Sequence, residues 1–138
     1  VKIDHIAIWV TDLERMRDFY LKYFNTTCGE LYNNPIKRFN SYFITFYDGN
    51  SRIELMTRPD IVDYNIDPGL GKGYTHLAIA VGDRMMVDKM VSLLRIDGYS
   101  IIGKPRVTGD GYYEAVALDP ENNIVELVAE KALSHEHN

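Results

Sequence analysis

The sequence predicts an α+β fold built from two copies of one βαβββ module, and three observations carry that prediction. The strand-like stretch Asp4-His5-Ile6-Ala7-Ile8-Trp9-Val10 occurs again as Thr75-His76-Leu77-Ala78-Ile79-Ala80-Val81. Each copy runs through an aspartate, Asp12 or Asp83, into an amphipathic segment. Each half then closes on a second shared triplet, Ile53-Glu54-Leu55 and Val125-Glu126-Leu127. The spacing holds from end to end, since His76 follows His5 by 71 residues and Glu126 follows Glu54 by 72. A duplicated chain therefore carries one histidine and one glutamate at matching places in each half.

The elements follow in order. Residues 3–10 alternate, with His5, Ala7 and Trp9 on one face of a strand and Ile6, Ile8 and Val10 on the other. The apolar face needs a cover, and a helix comes next. Thr11 or Asp12 can cap it, and Leu13, Met16, Phe19 or Tyr20, and Tyr23 or Phe24 recur at three- and four-residue steps until Asn25-Thr26-Thr27 breaks the pattern. Residues 27–33 and 39–47, rich in Thr, Tyr, Phe and Ile, read as strands joined through Asn33-Asn34-Pro35. Asp48-Gly49-Asn50 then turns the chain into an antiparallel strand at 51–57. Periodicity disappears over the linker 58–73, which Pro59, Pro68, Gly69, Gly71 and Gly73 punctuate. The second half repeats the order with a strand at 74–81, a helix at 84–97 ending near Gly98, and strands at 99–103, 112–118 and 123–129. Asp119-Pro120-Glu121-Asn122-Asn123 turns the last hairpin. The expected organisation is one domain over 1–130, with half-modules 1–57 and 74–129, and a loose tail at 131–138.

Composition narrows the function classes. With 46% hydrophobic and 25% charged residues, the 138-residue chain suits a soluble globular protein and neither a disordered nor a fibrous one. No apolar run approaches the roughly 20 residues of a membrane span, and no charged-then-apolar leader opens the chain, so the expected location is the cytoplasm. Cys28 is the single cysteine, which excludes an intramolecular disulfide. A net charge of −5 without a clustered basic face argues against nucleic acid as the partner.

The paired histidines and glutamates carry the chemistry. A lone histidine on a strand is more often structural than functional, but the parity is the same in all four strands. His5, Glu54, His76 and Glu126 each point away from the neighbours that look most core-like, and so face away from the helices. Ala7, Ala78 and Ala80 share that face and leave room on it. A glutamate there needs a positive partner, because an unpaired buried carboxylate is expensive. One divalent cation satisfies two carboxylates at once, and mixed nitrogen and oxygen donors suit Zn, Ni, Co, Mn or Fe. The alternative is that Glu54 pairs with Arg52 or Arg58 while Glu126 faces water. Trp9 and Tyr113 are candidate substrate contacts, Trp9 by stacking and Tyr113 as part of the wall or lid Asp110-Gly111-Tyr112-Tyr113-Glu114. Arg38, Lys104 and Arg106 read as solvated loop cations, and His135 and His137 as incidental.

The two strand openings, the helix Leu13-Glu14-Arg15-Met16-Arg17-Asp18-Phe19-Tyr20 and the ending Leu118-Asp119-Pro120-Glu121-Asn122-Asn123-Ile124-Val125-Glu126-Leu127 resemble the vicinal oxygen chelate superfamily, which includes glyoxalases, bleomycin resistance proteins and dioxygenases. The His, Glu, His, Glu set resembles that of a bacterial glyoxalase I. The resemblance implies mixed sheets that curl into a U-shaped metal-binding cup. It also implies one divalent ion on His5, Glu54, His76 and Glu126, a small-molecule substrate, and a homodimer. The implied activity is that of a lyase or isomerase moving a proton through an enediolate of a small α-hydroxycarbonyl compound or its thiol adduct. Glu126 is the expected base and Glu54 its counterpart. Where glyoxalase I members place an arginine four residues after the first histidine, this chain has Trp9, and Leu55-Met56-Thr57-Arg58-Pro59 replaces the segment that commonly carries an asparagine. Weak use of glutathione is expected from both departures. The alternatives are a ligand- or drug-binding module of the same fold without chemistry, and an epimerase of the methylmalonyl-CoA type.

Overall fold

A computed structural model describes residues 1–63 and 66–130. The tail 131–138, with His135 and His137, lies outside the described residues. The chain divides into two compact units, Val1–Asn65 and Ile66–Asn138.

In the first unit the order is β1 (Ile6–Trp9), α1 (Leu13–Tyr23), β2 (Thr26–Cys28), β3 (Tyr32–Asn34), β4 (Phe39–Phe46) and β5 (Arg52–Thr57). The sheet runs β1-β5-β4-β2, with β3 also paired to β4. Asp12 caps α1, its side chain accepting from the Arg15 backbone N–H at 3.1 Å. The helix packs on β4, β2 and β5. Its Met16, Phe19 and Tyr20 bury against Ile44, Ile53 and Leu55, each such side chain contributing roughly 1.5 to 3 kcal/mol when fully buried. Ile6, which reads as core from its sequence neighbours, is 38% exposed because β1 lies at the sheet edge. The single strand expected at 27–33 is two short ones, interrupted at 29–31, and both pair with the long β4. The Asp48-Gly49-Asn50 turn closes the β4–β5 hairpin as expected, with Gly49 and Asn50 at positive φ.

The second unit holds β6 (His76–Gly82), α2 (Arg84–Ile96), β7 (Ile101–Val107), β8 (Tyr113–Leu118) and β9 (Ile124–Ala129), with strand order β6-β9-β8-β7. Asp83 caps α2 by accepting from the Met86 N–H at 2.9 Å. At the other end Gly98, at φ +89°, lets the Tyr99 N–H reach the Leu94 carbonyl. Val87, Met90, Val91 and Leu94 bury with Ala115, Ala117, Val125 and Leu127. Strand β7 extends four residues beyond the expected end at 103. Pro105 is tolerated there because β7 is an edge strand whose register against β8 shifts on either side of Gly103. The last hairpin is built on Asp119, almost fully buried, whose Oδ1 accepts from the backbone N–H groups of Glu121 and Asn123. Each unit is thus a βα module followed by antiparallel strands, as the repeat implies.

Candidate functional site

The register of the two parallel strand pairs places the four residues. In the first unit Ala7 on β1 lies opposite Glu54 on β5, and Phe43 on β4 flanks Glu54 on its other side. His5, two residues before Ala7, shares its face. In the second unit Ala78 on β6 lies opposite Glu126 on β9, Val116 flanks from β8, and His76 is again two residues before the alanine. Duplication has conserved the pairing to the residue. His5 Nε2 stands 3.5 Å from Glu54 Oε1, and His76 Nε2 stands 3.3 Å from Glu126 Oε2. The neighbouring residues Ile53, Leu55, Val125 and Leu127 point into the two cores.

The alternative partners are otherwise engaged. Arg52 pairs with Asp4 at 2.6 Å and Arg58 with Asp60 at 2.6 Å. Glu126 does not simply face water, since its side chain is 19% exposed and that of Glu54 14%. Each pair offers one imidazole nitrogen and one carboxylate oxygen, the donor mixture that borderline divalent ions take. Two ligand atoms roughly 2.1 Å from one ion stand about 3.0 to 3.4 Å apart for octahedral to tetrahedral geometry. The 3.3 Å separation lies within that range and the 3.5 Å one just beyond it, so each pair can take adjacent ligand positions with little movement. Among the described residues no group of three or more His, Cys, Asp or Glu is gathered as it would be around a metal ion.

The two pairs differ in their surroundings. In the first unit Asp4 Oδ2 accepts from His5 Nδ1 at 2.7 Å and from Arg52 Nη2 at 2.6 Å. Those hydrogen bonds, that from His5 first and then that from Arg52 with its charge, hold the Asp4 carboxyl below its usual range. The Arg52 guanidinium lies over the Phe43 ring at 4.5 Å, and that ring meets His5 edge-on at 5.0 Å between centroids. In the second unit Thr75 stands where Asp4 does. A third carboxylate shares the sheet face instead: Glu114 on β8 has the parity of Val116, which pairs with Glu126. Burial, then the charges of Glu126 and Asp110, push the Glu114 carboxyl above its usual value.

Trp9 lies on the face of His5 and Ala7, 42% exposed, with Phe39 edge-on at 6.1 Å and the Arg58 guanidinium over its ring at 5.4 Å. Tyr113 has the opposite parity to Glu114. Its hydroxyl donates to Asp88 of α2 at 2.5 Å and Arg84 covers its ring, which puts it on the helix side of the sheet, away from Glu126. Asp4 and Phe43 lie beside the pairs without having been singled out from the sequence, where Arg52 enters only as a partner for Glu54 and Glu114 only as the end of the stretch Asp110–Glu114. For Glu114 a signal existed, its even parity with Val116. For Asp4 the signal was its place beside His5.

The sequence model of the Glyoxalase/Bleomycin resistance protein/Dioxygenase superfamily matches residues 2–127. No curated protein matches the sequence. Among solved structures, a glyoxalase family protein from Bacillus cereus is 21% identical, with a TM-score of 0.80 over 96% of this chain and 95% of that one. Glyoxalase I from Zea mays is 26% identical with a TM-score of 0.75; the match covers 95% of this chain and 45% of the maize protein. A fosfomycin resistance protein from Listeria monocytogenes, complexed with Mn(II) and sulfate ion, is 18% identical with a TM-score of 0.68 over 94% of this chain and 93% of its own. With that family match spanning nearly the whole chain, and the repeated modules agreeing with it, the protein belongs to the glyoxalase/bleomycin resistance protein/dioxygenase superfamily, the vicinal oxygen chelate fold.

Proposed function

We propose that the chain is a divalent-metal-dependent lyase or isomerase of the glyoxalase type, acting on a small α-hydroxycarbonyl compound or its thiol adduct. His5, Glu54, His76 and Glu126 would hold the ion. The observation that carries the reading is the repeated register, in which each half sets an imidazole nitrogen 3.3 to 3.5 Å from a glutamate oxygen. When bound, a divalent ion supplies Lewis-acid stabilisation of charge on substrate oxygens, an effect of several kcal/mol.

The chain's own groups do the rest. Glu126 takes the proton from the carbon between two substrate oxygens and returns it to the adjacent carbon, acting as base and then acid, so no group is lost or gained in an isomerisation. Enclosure of its carboxylate, only 19% exposed, limits exchange of that proton with water. Glu54, in the matching place, balances ligand charge from the other half. Trp9, half open on the same face as His5, offers a flat apolar surface for the substrate.

The test incubates the metal-loaded chain in D2O with small α-hydroxycarbonyls and with methylglyoxal adducts of several thiols. Expected is deuterium exchange or conversion that a chelator stops and the divalent ion restores. Saturable ligand binding with no exchange on any of these compounds would make the chain a binding module instead.

A further inference from the structure

The two histidines stand in the same register, yet their second nitrogens meet different chemistry. An ionised carboxylate only accepts hydrogen bonds. Asp4 Oδ2, 2.7 Å from His5 Nδ1, therefore requires the proton of a neutral His5 ring to sit on Nδ1. The lone pair is then on Nε2, which faces Glu54 Oε1 at 3.5 Å. Two acceptors facing each other attract nothing by themselves; a cation between them turns the contact favourable. Asp4 is itself held in place through Arg52, which is anchored on β5 and stacked on Phe43, and Phe43 in turn meets the His5 ring. Asp4, Arg52, Phe43 and His5 form a closed circuit that fixes both the ring plane and the tautomer. His76 has Thr75 in the corresponding place, and its Nε2 faces Glu126 at 3.3 Å. Among the described residues no hydrogen bond holds a proton on its Nδ1, and the Glu126 carboxylate beside Nε2 electrostatically favours a proton there.

We infer that Asp4, braced by Arg52, is a positioning residue that presets His5 in the Nδ1–H tautomer with Nε2 free to bind a cation, while His76 rests in the Nε2–H tautomer and must give up or move that proton before it can bind one. The duplicated halves are thus one preset and one unset donor pair. The consequence for metal binding rests on the proposed function; the tautomer assignment does not. Outer partners of this kind fix ring orientation and raise ligand basicity, and losing one typically costs about 10- to 100-fold in metal affinity.

The experiment is long-range 1H–15N NMR of the histidine rings in the metal-free full chain at about pH 8.5, where an ordinary imidazole is neutral. Signals are assigned with His5→Gln and His76→Gln. Expected is Nδ1–H at His5 and Nε2–H at His76. Asp4→Ala should shift His5 toward Nε2–H, and Asp4→Asn, whose amide oxygen also accepts, should keep it. In a Zn(II) titration the alanine variant should bind about 10- to 100-fold more weakly. The Asp4 side chain is 68% exposed, so the fold has little to lose with it. The same tautomer at both histidines overturns the assignment, as does a His5 tautomer that ignores Asp4→Ala. The expected tautomers in a wild-type chain that binds no divalent ion keep the assignment and overturn the metal reading instead.

Discussion

Glu54 and Glu126 occupy the same register position in two halves, but among the described residues only Glu126 has a further strand carboxylate, Glu114, on its sheet face. If Glu126 is the base, Glu126→Gln keeps its size and an oxygen ligand and removes the basicity. Metal should stay bound while turnover falls by about 10²-fold or more, and Glu54→Gln should be milder; paired metal content and kcat decide, and equal losses would mean a shared proton transfer. Glu114 gives a prediction on stability. Its folded carboxyl titrates above the unfolded value because of burial and the charges of Glu126 and Asp110. The stability it contributes is present below the usual carboxylate range and is lost as pH rises through the raised folded value. Glu114→Gln should therefore raise Tm at neutral pH and change it little at about pH 3, and an equal shift at both pH values would contradict this. At this scale the sequence was informative through parity. The alternation that singled out His5, Glu54, His76 and Glu126 is the alternation in the strands. Parity also separates Tyr113 from Glu114, and its use there would have pointed to the glutamate. The Asp4–Arg52–Phe43 circuit was not legible, because it joins a residue ahead of β1 to two strands whose registers only pairing fixes.

At the scale of elements, caps and turns read well because their chemistry is local. Asp12 and Asp83 each accept a backbone N–H three residues on, and the Asp48-Gly49-Asn50 and Asp119–Asn123 turns close the hairpins they announce. Strand ends read less well. The interruption at 29–31 and the extension of β7 through Pro105 depend on which strand lies alongside, and on β7 being an edge. Gly82 ends β6 at φ +125°, after a register shift from Ala80, and its carbonyl accepts from the Glu130 N–H at 2.7 Å. A Cβ there would stand 3.2 Å from Met86 Cγ, in a conformation that L side chains rarely adopt. Gly82→Ala should destabilise the chain by about 1 to 3 kcal/mol, read as a lower urea midpoint at unchanged m-value. A midpoint equal to that of the wild type would mean that the turn relaxes at no cost.

For the whole molecule, duplication explains why so much was legible: two copies of one module report the same strands, caps and donor positions independently. Two units each with its own core are what such a chain yields. Where the copies diverge, at Asp4 against Thr75 and at Ser41 against Glu114, the surroundings of the two pairs differ. Substrate choice belongs to this scale. With Trp9 where an arginine is expected and Arg58 held by Asp60, the glutathione adduct of methylglyoxal should be turned over weakly or not at all; robust saturable turnover would show that other cations hold the peptide. The most direct measurement is the metal content of the purified chain by elemental analysis, beside the His5→Ala, His76→Ala double variant. About one divalent ion per chain in the wild type, lost in the folded double variant, is the expected result. Equal metal in both, or none in the wild type after loading, would contradict the claim that these paired residues hold an ion.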